Sequence, residues 1–318
     1  MKVEIVGAGA LGLLFGGKLA SSGEEVRFWT KSEEQARLLA EEGILLQEGE
    51  NGAPAIISGL AAYPLQKAAS RCIGQENPDW VLVAAKQHHI DNALVSAIGP
   101  LLGEGTQILC FQNGIGHLEL LAKAFPGTGV YAAITTEGAK RPSIRHVIRS
   151  GKGTTSIGLS AKEGEKADLY SKNAAEKLIV ALETAGFSAH LSKDIDREIY
   201  RKLLINAAIN PLTAIWRISN GELLEKAERR LLLKQLCEEA LAVYAAEGIV
   251  FEGDAYDAVA EVCRLTSSNM SSMLKDVLQG TPTEIDYING RLVEMAKQTG
   301  TPVPGHETVW RLIRGFHQ

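Results

Sequence analysis

Residues Lys2-Val-Glu-Ile-Val-Gly7-Ala8-Gly9-Ala10-Leu11-Gly12-Leu-Leu-Phe-Gly-Gly-Lys-Leu-Ala-Ser21 decide the fold. The apolar run Val3 to Val6 has strand character and leads directly into a Gly-x-Gly-x-x-Gly turn, after which Leu11 to Ser21 carries helical spacing. In that setting each glycine has its own task. Gly7 permits the tight turn, Gly9 lets the backbone approach a pyrophosphate, and Gly12 lets the helix pack closely on the strand, while the helix N-terminus faces the phosphates. The six candidate phosphate-cradling positions are therefore Gly7, Ala8, Gly9, Ala10, Leu11 and Gly12. The same six letters in an isolated loop would mean little. Here the strand before, the helix after, and the turn Gly23-Glu24-Glu25-Val26 into a next strand all agree, and the unit reads as the start of a dinucleotide-binding domain.

The second strand, Val26 to Thr30, sharpens the ligand. Folds that prefer NAD usually carry an acid at its end to hold the ribose hydroxyls. This chain has Thr30, Lys31 and Ser32 there instead, a cation and two hydroxyls where a 2′-phosphate would lie. NADP(H) is thereby favoured over NAD(H), against the plainer reading of Lys31 as a surface lysine in a turn.

Further along, short β-rich runs alternate with helical stretches, the pattern of a parallel sheet covered by helices. Trp80 to Ala84 and Gln107 to Cys110 read as further parallel strands. Ile44 to Ser58, around Glu50-Asn51-Gly52, reads as a hairpin insertion. From Val130 to Leu159, β-branched segments separated by Gly and Pro suggest antiparallel strands that extend the sheet. A helix from about Leu169 to Ala185 and a strand near Phe187 to Leu191 close this domain. Beyond Ser192 the pattern is almost purely helical: Asp196 to Ile215, Glu222 to Glu247, then stretches after Asp254, from Ser272, after Pro282 and near Glu307 to Gly315. Gly248 and Gly300 serve as C-caps and Pro282 as a first-turn proline. The fold class is α/β: residues 1–193 form a Rossmann-type NADP-binding domain, and residues 194–318 an all-α substrate and catalytic domain.

Composition sets the outer limits. A chain of 318 residues favours two domains over one, and 45% hydrophobic with 22% charged residues is ordinary for a folded protein. A net charge of −5 with only short basic clusters, such as Lys140-Arg141 and Arg229-Arg230, gives no footprint for nucleic acid. The four cysteines contain no CxxC pair, and the seven histidines no metal-ligand spacing, so no metal is expected. The chain enters its first strand at once and carries no apolar run near the roughly 18 residues a spanning helix needs. A cytoplasmic protein with no membrane partner is the expectation. Apolar faces on the later helices could pack within the bundle or form a homodimer.

The chemistry should lie in the second domain. Lys202, Asn206 and Asn210 are spaced i, i+4, i+8 and share one helix face. Pro211 should kink that helix or loosen the turn near Ala207, opening backbone groups to a cleft. Taken alone, Lys and Asn on a helix face are more often simply solvated. Thr281-Pro282-Thr283-Glu284 has the form of a capping box, which offers Glu284 a purely structural role. Ser271 and Ser272 could likewise just cap a helix.

Together, however, these strings resemble a known family. Lys202-Leu-Leu-Ile-Asn206-Ala-Ala-Ile-Asn210-Pro-Leu-Thr-Ala-Ile-Trp216, followed by Asn220-Gly-Glu-Leu, looks like the signature helix of the ketopantoate reductases (2-dehydropantoate 2-reductases). Asn269-Met-Ser-Ser272-Met-Leu-Lys-Asp276, then Thr283-Glu284-Ile-Asp-Tyr-Ile-Asn-Gly290, is similar to their second signature. The Gly-rich start, the Lys86 segment and Gln112-Asn113-Gly114 extend the resemblance over nearly the whole chain. It implies NADPH-dependent reduction of 2-dehydropantoate to (R)-pantoate, a step toward pantothenate and coenzyme A, in a cleft between the two domains. Lys202 would be the general acid for the keto oxygen, and Glu284 would bind the substrate hydroxyl end and support the lysine. Asn206, Asn210, Asn269 and Ser272 would hold the 2-keto acid, with Asn220 near that pocket. Lys86 and Asn113 would approach the nicotinamide side of the cofactor and Lys31 its 2′-phosphate. Two departures stand out. Lys31 occupies a position where many members have arginine, giving a point charge rather than a fork. Gln87-His88-His89 replaces an aromatic-containing stretch, and the two histidines read as solvent-facing.

Without the resemblance, the residues alone reach a two-domain hydroxyacid or 2-keto acid dehydrogenase. A reductase of another branched 2-keto acid and a non-catalytic NADP(H) sensor are the alternatives.

Overall fold

The strand, glycine turn and helix that open the chain form β1 (Lys2–Val6) and α1 (Ala10–Ser21) in the computed structural model, which describes residues 1–72, 74, 76–160 and 169–316. The chain divides into two compact units. The first comprises Met1–Gln112 with His117–Ile195, and the second Asn113–Gly116 with Asp196–Gln318.

The first unit continues through β2 (Glu25–Thr30), α2 (Glu33–Glu42), β3 (Ile44–Glu48), β4 (Ala55–Ile57), β5 (Ala61–Pro64), α3 (Ala68–Arg71), β6 (Trp80–Val83), α4 (Asn92–Ile98), β7 (Gln107–Cys110) and α5 (His117–Ala124). Then come β8 (Val130–Thr135), β9 (Gly138–Ser143), β10 (His146–Gly151), β11 (Thr154–Leu159), α6 (Leu169–Thr184) and β12 (Ser188–Leu191). The main sheet runs β12-β11-β8-β7-β6-β1-β2-β5. From β5 to β8 neighbours are parallel, β11 is antiparallel to β8, and β12 is parallel to β11. The order reverses at β1, with β2 on one side and β6 on the other. In an open α/β sheet this switch point is where a ligand finds a crevice at the strands' carboxyl ends.

One sequence expectation needs correcting. Between Val130 and Leu159 only β8 and β11 extend the main sheet. β9 and β10 instead join the hairpin β3–β4 in a second sheet of order β4-β3-β10-β9. The cause lies in α1, which buries Leu13, Leu14, Phe15 and Leu19 and is apolar around nearly its whole circumference. A helix of that kind must be covered on more than one side. Gly16 abuts Phe28 and Ile5 of the main sheet, while Gly17 faces Leu46 and Ile44 of the second. The second sheet is thus α1's other wall. Phe15 also stacks on Phe187 at 4.2 Å between centroids. Nearby, Arg149 on β10 makes a two-pronged ion pair with Glu137, at 2.7 and 2.6 Å, and both side chains are fully buried.

The second unit is all-helical among its described residues: α7 (Ile195–Trp216), α8 (Ala227–Ala246), α9 (Ala255–Leu265), α10 (Ser272–Leu278), α11 (Ile285–Thr299) and α12 (Pro304–Arg314). Its core gathers Leu203, Leu204, Ala207, Ala208 and Leu212 of α7 with Leu233, Leu236, Ala240 and Val243 of α8 and Ile288, Leu292 and Val293 of α11. Asp254 and Ser271 cap α9 and α10 by accepting from Asp257 N and Leu274 N. Gly300 ends α11 in the left-handed conformation.

Two local expectations fail here. α7 continues past Pro211, and what fails is the opening to a cleft: the Ala207 carbonyl that the proline leaves without its usual donor accepts from the Asn289 amide at 2.9 Å. The capping box at Thr281 does not form. The Thr281 hydroxyl bonds Asp276, α11 starts only at Ile285, and Pro282 lies before the helix rather than in its first turn. No described helix is long and apolar enough to cross a membrane.

Candidate active site

The turn after β1 has the shape its glycines suggest. Gly7 has φ +99°, and a Cβ there would lie 2.7 Å from Ala85 N. A Cβ on Gly12 would lie 2.0 Å from the Gly7 carbonyl oxygen, so the helix can approach the strand only because that side chain is missing. Gly9 differs: its Cβ would meet nothing closer than Ala84 O at 3.8 Å, so the chain itself does not demand glycine there. No side chain among the described residues caps α1, and its first turn holds no acid. Its free N–H groups are therefore available to an anion. Gln35, which the sequence did not single out, pins the turn by donating to Ala8 O at 2.9 Å and Ile144 O at 2.6 Å.

At the end of β2 the two hydroxyls are already engaged. Thr30 is buried and donates to Ser32 O at 2.7 Å, and the Ser32 oxygen caps α2 by accepting from Gln35 N. Thr30 is thus removed from the expected ligand set, while Ser32 keeps its own proton to donate. Lys31 is exposed. After β6, Lys86 and His89 are exposed and His88 is half-buried, with the two imidazoles 4.1 Å apart. Burial lowers the His89 pKa, and His88, Lys31 and Lys86 lower it further against the opposing pull of Asp91. Lys31 and Lys86 therefore lie close enough to His89 to disfavour its charged form, and the positive charge of this neighbourhood is theirs. Beneath it, the Gln112 amide donates to Val83 O and Ala85 O, both at 2.8 Å, and fixes the backbone that leads into Lys86.

In the second unit, α7 presents Lys202 and Asn206 half-buried and Asn210 buried. Desolvation by burial lowers the Lys202 pKa from 10.5 to about 8, opposed by the charge of Glu284. Glu284 sits at the head of α11 without capping it, and its carboxylate accepts from Asn113 Nδ2 at 3.1 Å. The sequence reading placed Asn113 with the cofactor; the structure gives its amide to Glu284. The close approach is enabled by Gly114, at φ +83°, where a Cβ would lie 2.3 Å from Tyr287 O.

The remaining candidates are organised by backbone. Asn220 N donates to Asn269 O and Gly221 N to Ser267 O, both at 3.0 Å, which joins two segments far apart in sequence. The Asn220 amide donates to Thr266 Oγ1, so Asn220 frames the loop. Asn269 and Ser272 are exposed. Ser271, beside Ser272, is bonded at 2.8 Å to Thr213 of α7, which ties the start of α10 to the helix that carries Lys202. Thr283, next to Glu284, is buried with its hydroxyl lacking a hydrogen-bond partner among the described residues. No side-chain signal in the sequence marks it.

A protonated amine whose pKa is pulled toward neutrality, beside a carboxylate and several amides, suits proton donation to an oxygen that gains negative charge. Among the described residues no cluster of His, Cys, Asp and Glu could hold a metal ion.

Comparison with known proteins bears on this arrangement. Residues 3–162 match a family described as "Ketopantoate reductase PanE/ApbA", and residues 194–317 its C-terminal part. A 2-dehydropantoate 2-reductase of Pyrococcus abyssi is 31% identical over 99% of this chain and 97% of its own. That of Bacillus subtilis is 33% identical over 100% of this chain and 98% of its own. Among solved structures, a ternary D-mandelate dehydrogenase complex with NADH and anilino(oxo)acetate superposes with a TM-score of 0.86 at 26% identity, covering 99% of this chain and 98% of the other.

Proposed function

The chain belongs to the ketopantoate reductase family, and on that premise we propose that it reduces 2-dehydropantoate to (R)-pantoate with NADPH, a step toward pantothenate and coenzyme A. The observation that carries this reading is the Lys202–Glu284–Asn113 constellation, with Lys202 lowered to about 8. An unperturbed lysine holds its proton too firmly for efficient transfer near neutrality, and general acids work best with a pKa near the operating pH.

The cofactor's fit is supported by the uncapped α1 terminus, by the open space at Gly9, and by the ammonium groups of Lys31 and Lys86, both close enough to His89 to lower its pKa. When bound, the dinucleotide supplies the hydride. The side chains do the rest. Lys202 Nζ holds the keto oxygen by a charge-assisted hydrogen bond and gives it a proton as negative charge develops. Glu284 keeps that ammonium charged and accepts from the substrate hydroxyl, while Asn113 orients the carboxylate. Asn206, Asn210, Asn269 and Ser272 hold the rest of the 2-keto acid, and Asn220 frames them. Lys31 contacts the 2′-phosphate, and as a point charge it gives a weaker preference for NADP over NAD than a guanidinium fork would.

The likeness to D-mandelate dehydrogenase favours a second reading, reduction of another bulky 2-keto acid, with NADH as a donor. Steady-state oxidation of NADPH and NADH with 2-dehydropantoate, 2-ketoisovalerate and phenylglyoxylate separates the two. The proposal expects the highest kcat/KM for 2-dehydropantoate with NADPH. Equal efficiency on 2-dehydropantoate and either of the other acids would sink the narrow reading, and no turnover of any would leave a cofactor-binding sensor.

A further inference from the structure

Within α7, residue 211 is proline and cannot donate to the carbonyl of Ala207, one turn earlier. Ala207 is fully buried, so water cannot take the proline's place, and a buried carbonyl without a donor is strongly disfavoured. The donor comes from another helix. Asn289 of α11, also fully buried, places Nδ2 2.9 Å from Ala207 O.

The second proton of that amide goes to His306 Nδ1 at 3.0 Å. His306 is fully buried at the start of α12, and its Nε2 lies 2.9 Å from Leu236 O of α8. A carbonyl only accepts, so Nε2 carries the proton and Nδ1 accepts from Asn289. The backbone beside His306 is fixed in turn, because the Glu239 carboxylate of α8 accepts from Gly305 N and His306 N, each at 3.0 Å. The amide orientation of Asn289 is thus set from α8 and α12 before it reaches α7.

The ends of this chain of bonds matter. Ala207 lies in the turn between Asn206 and Asn210 on the helix of Lys202, and Asn289 is five residues beyond Glu284, which heads α11. We propose that Asn289, oriented by His306, is a positioning residue that holds the Lys202 helix in register with Glu284 through the carbonyl that Pro211 leaves open. Pro211 and Asn289 then act as one device. The proline releases a carbonyl, and the released carbonyl is the point at which the Asn289 amide of α11 bonds the interior of α7.

The inference rests on the functional reading of Lys202 and Glu284, and its test separates the two. Asn289→Leu keeps the volume and removes both donors, while Pro211→Ala restores a helical N–H to Ala207 O. Asn289→Leu is expected to lower kcat by about ten- to a hundred-fold, with KM for NADPH unchanged and the alkaline limb of the pH profile moved to lower pH as Lys202 loses the full effect of Glu284. Asn289→Leu/Pro211→Ala satisfies the Ala207 carbonyl within α7 without restoring the bond to α11, so it is expected to recover stability but not kcat or the pH profile. A folded Asn289→Leu enzyme with unchanged kcat and profile, or one whose kcat and profile Pro211→Ala restores, overturns the proposal. If the leucine variant does not fold, Asn289→Ser, which keeps one donor, takes its place in the same comparison. If the wild-type enzyme does not turn over 2-dehydropantoate, the functional reading fails by itself. The positioning claim is then read from the Lys202 ammonium pKa by NMR in the same variants, where a downward shift that Pro211→Ala does not reverse is expected, and no shift, or its reversal by Pro211→Ala, overturns it.

Discussion

Replacing Lys202 with methionine should make the protein more stable while disabling it. The Lys202 pKa is about 8 in the folded protein against 10.5 for the ordinary side chain, with burial as the main cause. A folded pKa depressed below the unfolded value means that folding is penalised wherever the amine must be carried in charged. That penalty is complete below about pH 8, shrinks between there and 10.5, and is gone above. At 1.36 kcal/mol per unit it amounts to about 3 kcal/mol at pH 7. Methionine fills nearly the same volume without a charge, so Lys202→Met should gain up to about that amount at pH 7 and less than about 1 kcal/mol at pH 10. Guanidinium unfolding followed by circular dichroism at the two pH values measures both quantities. A variant no more stable than wild type at pH 7, or a gain that stays constant to pH 10, would refute the reasoning, because either outcome means the ammonium is not desolvated in the folded chain.

Other outcomes follow from the same structure. Glu284→Gln removes the charge that holds the Lys202 pKa up, so the alkaline limb of kcat/KM should move to lower pH; a limb that stays in place would separate the two residues. Gly12→Ala drives a methyl to within 2.0 Å of Gly7 O and should abolish dinucleotide binding in a calorimetric titration, whereas retained affinity would mean that the turn can relax. Arg149→Met leaves the Glu137 carboxylate buried without its partner and should destabilise the first unit by about 3–5 kcal/mol in thermal unfolding, with much of the loss recovered in Arg149→Met/Glu137→Gln.

The sequence made some of this legible and hid the rest for identifiable reasons. Gly7 to Gly12 could be read because strand, turn and helix lie within a few residues, and local chemistry alone fixes them. Thr281-Pro-Thr-Glu284 misleads for the same reason: the local pattern describes a capping box, but the Glu284 carboxylate finds Asn113, and Thr281 finds Asp276. The β9–β10 pair was assigned to the wrong sheet because periodicity identifies a strand without naming its neighbour; the neighbour, β3, was chosen by the all-round apolar surface of α1. Thr30 looked like a ligand hydroxyl, yet its proton is held by Ser32 O. Pro211 was a visible anomaly with an invisible partner, since nothing near it in sequence announces that Asn289 will supply the missing donor. The spacing of Lys202, Asn206 and Asn210 showed a shared face, but only the folded environment shows an amine brought near neutrality.

The claim at the centre of the account is that the Lys202 ammonium protonates the keto oxygen of 2-dehydropantoate. Turnover of that acid with NADPH, measured for wild type and Lys202→Ala at pH 7 alongside each protein's affinity for NADPH, tests it directly. The account predicts a loss of about 10²–10⁴ in kcat with cofactor affinity unchanged. Turnover that persists in Lys202→Ala at close to the wild-type rate would contradict it.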